Sequence, residues 1–127
     1  ALGLPLDRKI IGYVPSFSSE IKGYKEFLAA LQILNLDNKG VDPFVLLVGN
    51  DTPATAAIRQ DKKALGYISN NAKLAQAYSC ADVIVVPSLE ETFSNTTAEA
   101  ISCGVPVVGF RTGAIPDMVL EGKTGKT

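Results

Sequence analysis

Two glutamates and the small polar residues between them are the side chains of this sequence best placed to do chemistry together. Glu91 and Glu99 flank the run Ser94-Asn95-Thr96-Thr97. On a single helix the two carboxylates would lie roughly 12 Å apart, too far to share one proton, hydroxyl or metal ion. We therefore expect them to act as two separate anchors for a ligand and not as a catalytic pair.

The polar run between the glutamates is expected to begin a helix near Ser94 or Asn95. The first N–H groups of a helix have no intrahelical acceptor, and the helix dipole adds positive potential, so such an end attracts phosphate. Lys22 precedes another predicted helix, where a cation is unfavourable against the dipole. This suggests an anionic ligand, although a solvated surface lysine remains the alternative. An anion held between two hydroxyl-binding carboxylates describes a nucleotide sugar.

Short apolar runs and amphipathic segments alternate along the chain and predict the elements that position these residues. Strands are expected at 9–14, 44–49, 64–69, 83–86 and 106–110. Helices are expected after Gly23, over 71–80, from Ser94 or Asn95, and from a start at Pro116, with a short helix over 54–63 and no closing element over 123–127. This alternation predicts an α/β fold with a doubly wound, Rossmann-like parallel sheet and helices on both faces.

Composition and charge exclude several other kinds of protein. The 127 residues suit one domain, with 46% hydrophobic and 20% charged residues and a net charge of −1. No basic stretch predicts a nucleic-acid partner, and no apolar run approaches the roughly 20 residues of a spanning helix. The chain has no His, and Cys80 and Cys103 lack paired spacing, which argues against a zinc site or a His-dependent nucleophile. We expect a cytoplasmic protein without a metal site.

The stretch around the two glutamates resembles the signature of the retaining group 1 glycosyltransferases of GT-B fold, which include glycogen and sucrose-phosphate synthases. The matching residues are Pro87-Ser88-x-x-Glu91-x-Phe93, Glu99-Ala100 and Gly104-x-Pro106-Val107-Val108, with Asp82 before them and Gly113-x-x-x-Asp117 after them. The resemblance implies the donor-binding half of such an enzyme, a fragment without the N-terminal acceptor domain and the C-terminal end. It also implies sugar transfer with retention from a nucleotide-diphosphate sugar to a sugar or glycan acceptor, with no cofactor.

The resemblance further implies roles for individual residues. Lys22, in a Lys-Gly pair, would reach the donor diphosphate, Glu91 would hold the donor sugar, and Glu99 would bind the ribose hydroxyls. The predicted catalytic residues are thus Glu91 and Lys22, and the predicted substrate-binding residues are Lys22, Glu91, Ser94, Asn95, Thr96 and Glu99. For Glu99 the spacing Thr96-x-x-Glu99 leaves a structural alternative, a capping box at the helix start.

Three positions depart from the family pattern. Phe17 stands where many members have Arg, which weakens the predicted phosphate site. Ser94 and Ala114 stand where most have Gly, which reduces the room for phosphate and sugar. A further segment, Tyr67-Ile68-Ser69, would lie against the nucleotide base, with an ordinary strand aromatic as the alternative for Tyr67. The three departures, at Phe17, Ser94 and Ala114, are where we expect the site to differ from its relatives.

Two functions of other classes fit the same alternation of strands and helices. One is half of a nucleotide-sugar epimerase, and the other is a non-catalytic, receiver-like module. Receivers place acidic residues at the end of the first strand, where this chain has Tyr13-Val14-Pro15, so the receiver is disfavoured. For the transferase we expect the 127 residues to fold and to bind nucleotide weakly without turnover. Membrane-surface contact would come only from regions outside them.

Overall fold

Among residues 2–15, 20–37 and 40–127, which the computed structural model describes, six parallel strands form one sheet. They are β1 (Ile10–Tyr13), β2 (Phe44–Leu47), β3 (Lys62–Ala64), β4 (Val83–Val86), β5 (Val107–Gly109) and β6 (Gly125–Lys126). Their order across the sheet is β3-β2-β1-β4-β5-β6, so the chain builds one side outward from β1 and then returns to build the other. The doubly wound, Rossmann-like sheet predicted from the sequence is confirmed.

Helices cover both faces of the sheet, and each face has its own apolar core. The helices are α1 (Tyr24–Leu36), α2 (Asn71–Ser79), α3 (Asn95–Ser102) and the single turn α4 (Ile115–Met118). Phe27 and Leu31 of α1 pack with Val45 on one face. Leu46, the next residue of β2, points to the opposite face and packs in the cluster that contains residues of α2 and α3. Successive strand residues are thus buried on alternate faces, as expected for a central parallel strand.

The strand order reverses between β1 and β4, and this position determines where a ligand can bind. In doubly wound sheets the crevice at the carboxyl ends of the strands on either side of the reversal is the usual ligand site. Asp82 fixes these two strands to each other, because its Oδ2 accepts a hydrogen bond of 2.7 Å from the Ile10 amide. Asp82 therefore has a structural role at the start of β4. None of the helices among the described residues has the length and hydropathy needed to cross a bilayer.

Two sequence predictions on the β3 side of the sheet are wrong. The third strand lies at Lys62–Ala64, before the predicted 64–69, and the predicted helix over 54–63 is reduced to a 3-10 turn at Pro53–Ala57. An edge strand can carry lysines, because their side chains reach solvent at the open edge. Leu65 and Ile68 belong to the connection after the strand but pack on the core, which explains why the apolar pattern extended too far.

The C-terminal residues also differ from the prediction, since 123–127 was expected to contain no closing strand. β6 pairs in parallel with β5, with Gly125 opposite Val107 and Lys126 opposite Val108. Gly125 has φ 152°, and a Cβ there would lie 1.8 Å from the Val107 carbonyl oxygen. Only glycine allows this approach, and a strand of two residues is too short to produce a hydrophobic period.

Candidate functional site

A cavity of 330 Å³ opens at the carboxyl ends of β1 and β4, where the strand order reverses. Its walls come from these two strand ends, from the turn before α1 and from the loop between β4 and α3. The lining residues are Tyr13, Val14, Lys22, Val85, Val86, Pro87, Ser88, Glu91, Thr92, Phe93, Ser94, Asn95 and Thr96. Five of the six predicted site residues therefore line one cavity, and Glu99 is the exception.

Lys22 and Glu91 form an ion pair in the wall of this cavity. The Lys22 Nζ lies 2.8 Å from Glu91 Oε1, and the Ser88 hydroxyl donates to the same oxygen at 2.9 Å. The Glu91 side chain is only 11% exposed, whereas that of Lys22 is 34% exposed. Two donors therefore hold one oxygen of a nearly buried carboxylate, and no hydrogen bond to Oε2 is found within the described residues.

Close backbone contacts hold the two loops that carry this ion pair. The Leu89 amide donates to the Ile21 carbonyl at 2.6 Å, which joins the loop after β4 to the turn before α1. Gly23 has φ 73°, and a Cβ at this position would lie 1.6 Å from the Pro87 carbonyl oxygen. Glycine is required here by both conformation and space. The Lys-Gly pair identified in the sequence thus places Lys22 against the loop that contains Glu91.

The start of α3 has an unusual backbone. Ser94 is the N-cap and has φ 96°, the one positive φ of a non-glycine residue in the described part of the chain. Its hydroxyl accepts a hydrogen bond of 3.2 Å from the Thr97 amide. Most residues avoid this left-handed region because of their Cβ, and glycine does not. A glycine at this position would relieve that strain.

The cap leaves two backbone donors of α3 without an acceptor in the described part of the chain. Ser94 supplies acceptors for the amides of Thr97 and Ala98, at 3.2 Å in each case. The amides of Asn95 and Thr96 precede the first intrahelical bond, and no acceptor is found for either within residues 2–15, 20–37 and 40–127. Asn95 and Thr96 line the cavity, so these N–H groups are available to an anion there.

A second cavity, of 450 Å³, adjoins the first on the side of β2 and α2. Val14, Asn95 and Thr96 line both cavities. Of these two cavities Glu99 lines only the second, together with Asn50, Thr52, Tyr67, Ile68 and Tyr78 among others. The two glutamates thus lie on opposite sides of the helix start, one in each cavity, which is the separation expected of two anchors.

Glu99 does not form the capping box that was the structural alternative to ligand binding. Its Oε2 accepts a hydrogen bond of 2.7 Å from the Tyr78 hydroxyl of α2. The helix begins two residues earlier than that alternative required, with Ser94 in place of Thr96 as N-cap, so the capping-box alternative is wrong. Burial, followed by the bond to Glu99, raises the pKa of Tyr78 above its usual value, so its hydroxyl remains a donor at neutral pH.

The segment predicted to face a base reaches the second cavity in part. Tyr67 and Ile68 line it, whereas Ser69 does not. Tyr67 lies after the end of β3 and is 83% exposed, so it is not the strand aromatic of the alternative interpretation. The amide of Tyr67 donates to Asn50 Oδ1 at 3.1 Å, which links this segment to the loop after β2.

Sequence reasoning missed two side chains that contact the predicted residues. Ser88 was seen only as part of the signature, although a position three residues before Glu91 in a turn is a common place for a local hydrogen bond. Tyr78 falls in the predicted helix over 71–80, and no local pattern connects it to Glu99. Phe17 and its departure from the family pattern lie outside the described residues. No group of three or more metal-ligating side chains occurs in the part of the chain that the structure describes.

Comparisons with known proteins identify the family. Residues 8–127 match the model of the family described as glycosyl transferases group 1. The D-inositol 3-phosphate glycosyltransferase of Corynebacterium diphtheriae is 30% identical over 98% of this chain and 31% of its own length. The 2-deoxystreptamine N-acetyl-D-glucosaminyltransferase of Streptomyces fradiae is 28% identical over 94% of this chain and 30% of its own length.

A solved structure agrees with these relatives. Sucrose-phosphate synthase from Thermosynechococcus elongatus superposes with a TM-score of 0.74 and 26% identity, covering 98% of this chain and 33% of that one. This chain therefore spans about a third of the length of the proteins that it matches. The resemblance found in the sequence is confirmed, and the chain belongs to the group 1 glycosyltransferase family.

Proposed function

We propose that this domain binds the nucleotide-diphosphate sugar donor of a retaining glycosyltransferase. The observation that carries the proposal is the position of the Asn95 and Thr96 amides, which have no acceptor among the described residues and lie in the wall common to two cavities. Glu91 lines one of these cavities and Glu99 the other. A diphosphate at the amides would place a sugar on one side of the helix start and a nucleoside on the other.

The diphosphate would be bound by Lys22 and the start of α3. The ammonium group of Lys22 has several N–H donors, and its contact of 2.8 Å with Glu91 uses only one of them. The others can reach a phosphate oxygen in the same cavity while the ion pair persists. Charge-assisted hydrogen bonds from a lysine and from free helix-start amides are among the stronger anion contacts that a protein offers.

The same groups would promote departure of the nucleotide. Negative charge accumulates on the diphosphate as the bond to the anomeric carbon breaks, and fixed donors aimed at that charge lower the barrier. Glu91 lies next to Lys22, so its free oxygen would accept hydroxyls of the donor sugar and stabilise positive charge at the anomeric carbon. This arrangement supplies positive potential without a metal ion, and we propose metal-independent transfer with retention.

The nucleoside would occupy the second cavity. Glu99 would accept the ribose hydroxyls, and Tyr67 and Ile68 would contact the base. The acceptor sugar or glycan would bind in a part of the enzyme outside these residues, which span about a third of its relatives. Membership of the glycosyltransferase family favours this function over the epimerase and receiver-like alternatives.

Thermal unfolding of the 127-residue chain with and without UDP, GDP or ADP tests the proposal. For a dissociation constant of about 1 mM, about 5 mM nucleotide stabilises the fold by roughly 1 kcal/mol, or about 3–5 °C. Lys22→Met removes one charge-assisted contact, so we expect affinity to fall about tenfold and the shift to shrink to about 1 °C.

Lys25→Met is the matched control. Lys25 also forms an ion pair, with Glu20 at 2.7 Å. The side chains of Lys25 and Glu20 are both highly exposed, and neither residue lines either cavity. We expect the nucleotide-induced shift to be unchanged in this variant. The absence of a shift with all three nucleotides in the wild-type chain, or equal shifts in Lys22→Met and wild type, would contradict the proposal.

A further inference from the structure

We infer that Tyr78 is a positioning residue that orients the Glu99 carboxylate toward the ribose hydroxyls of a bound nucleotide. The inference rests on the proposed function, in which Glu99 binds the ribose. It adds Tyr78 as the side chain that orients Glu99 for this contact. The observations that carry it are a buried hydroxyl on α2, its hydrogen bond to Glu99 on α3, and a cavity that both residues line.

Tyr78 is rigidly held. The residue is only 2% exposed, and its ring packs in the apolar cluster between the sheet and the two helices. Its hydroxyl donates to Glu99 Oε2 at 2.7 Å. A buried ring cannot change rotamer without opening this cluster, so the position of its hydroxyl is determined by the fold.

Glu99, by contrast, is an exposed side chain on the first turns of α3. An exposed glutamate samples several rotamers, and ordering it on ligand binding costs conformational entropy. The bond from Tyr78 reduces that cost in advance, because it fixes one carboxylate oxygen before a ligand arrives. No hydrogen bond to Oε1 is found within the described residues, so this oxygen remains available to accept a hydroxyl.

The arrangement predicts selectivity for ribose over deoxyribose. An oriented carboxylate discriminates between a ligand with the hydroxyl and one without it, since a bound deoxyribose covers the acceptor oxygen without pairing it. A mobile carboxylate can turn to water and discriminates less. The effect of Tyr78 should therefore appear in the ratio of the two affinities and not only in overall stability.

Calorimetric titration of the 127-residue chain with UDP, GDP and ADP and with their 2′-deoxy forms tests the inference. For the tightest pair we expect the wild type to prefer the ribonucleotide by about tenfold. Tyr78→Phe keeps the ring and removes the hydroxyl, and we expect this preference to fall about threefold. Glu99→Gln, made in the wild-type and in the Tyr78→Phe backgrounds, completes a double-mutant cycle. Once Glu99→Gln has been made, Tyr78→Phe should lower the ribonucleotide preference little further.

Tyr24→Phe is the matched control, because the Tyr24 hydroxyl donates to the Ala54 carbonyl and Tyr24 lines neither cavity. We expect it to leave the preference at the wild-type value. An unchanged preference in Tyr78→Phe, with nucleotide still bound, overturns the inference and leaves the proposed function standing. If the wild-type chain binds none of the nucleotides, the proposed function fails, and the inference fails with it.

Discussion

Backbone strain at Ser94 leads to a prediction about stability that the identity of the side chain alone would not suggest. Ser94 caps α3 through its hydroxyl and holds φ at 96°, a region that a Cβ disfavours. Ser94→Ala removes the hydroxyl and keeps the Cβ, whereas Ser94→Gly removes both. The difference between the two variants therefore contains the strain that the Cβ causes.

The strain energy at Ser94 is obtained by subtracting the stability difference between glycine and alanine at an unstrained N-cap. At an ordinary N-cap, glycine is already better than alanine, so the same pair must be made at a cap without strain. Asn70 is such a cap: its φ is −85°, and its Oδ1 accepts from the Lys73 amide at 3.0 Å. The Gly-minus-Ala difference should be larger at 94 than at 70 by about 1–3 kcal/mol, which is the usual cost of a strained non-glycine backbone.

Urea unfolding of the four variants at 25 °C measures these differences, with equal m-values as the check that the unfolded states are comparable. We expect Ser94→Gly to be about 1–2.5 kcal/mol more stable than the wild type, because the strain that it relieves exceeds the few tenths lost with the cap, and Ser94→Ala to be about 0.5–2 kcal/mol less stable than the wild type. Equal Gly-minus-Ala differences at the two caps would show that Ser94 carries no strain. The argument that this position is suited to glycine would then be refuted.

Two further predictions concern the loop of Glu91 and the buried hydroxyl of Tyr13. Gly113→Ala would place a Cβ 2.1 Å from the Glu91 carbonyl oxygen, whereas Gly104→Ala, at φ 74°, meets open space. Both substitutions cost roughly 1–2 kcal/mol of conformational strain, and Gly113→Ala adds the clash with the Glu91 backbone. Chemical denaturation should therefore show a greater loss of unfolding free energy for Gly113→Ala, and only this variant should lose the nucleotide-induced thermal shift. The Tyr13 hydroxyl has no partner among the described residues, and Tyr13→Phe should therefore be neutral or stabilising by up to about 1 kcal/mol at neutral pH. Burial raises the pKa of Tyr13 from 10.0 to about 12, so wild-type stability should fall as pH rises through this interval, where only the unfolded chain loses the proton, and the fall should be smaller in Tyr13→Phe.

The elements around the signature could be predicted closely from the sequence. β4 was predicted at its observed bounds because its apolar run stands between polar neighbours, and the start of α3 follows from the small polar residues after it. β3 and β6 were not predicted correctly. A lysine-bearing edge strand and a strand of two residues are defined by pairing with a neighbour, and pairing leaves no period in the local sequence.

The site could be predicted in its residue types but not in its contacts. Lys22 and Glu91 are far apart in the chain, and only the resemblance placed both at one ligand before the structure showed the distance of 2.8 Å between their charged atoms. The bond from Tyr78 to Glu99 depends on how α2 packs against α3. Packing of that kind is a tertiary property, so the sequence indicated a ligand for Glu99 without indicating what orients it.

The most direct test of the central claim is a nitrogen-15 NMR titration of the 127-residue chain with the nucleoside diphosphate that stabilises it most. A diphosphate bound at the start of α3 should shift the amide resonances of Asn95 and Thr96 more than those of Asn71 and Ala72, at the start of α2. The shifts should saturate together with the thermal stabilisation. Saturating stabilisation without movement of the Asn95 and Thr96 resonances would contradict the claim that this helix start binds the diphosphate.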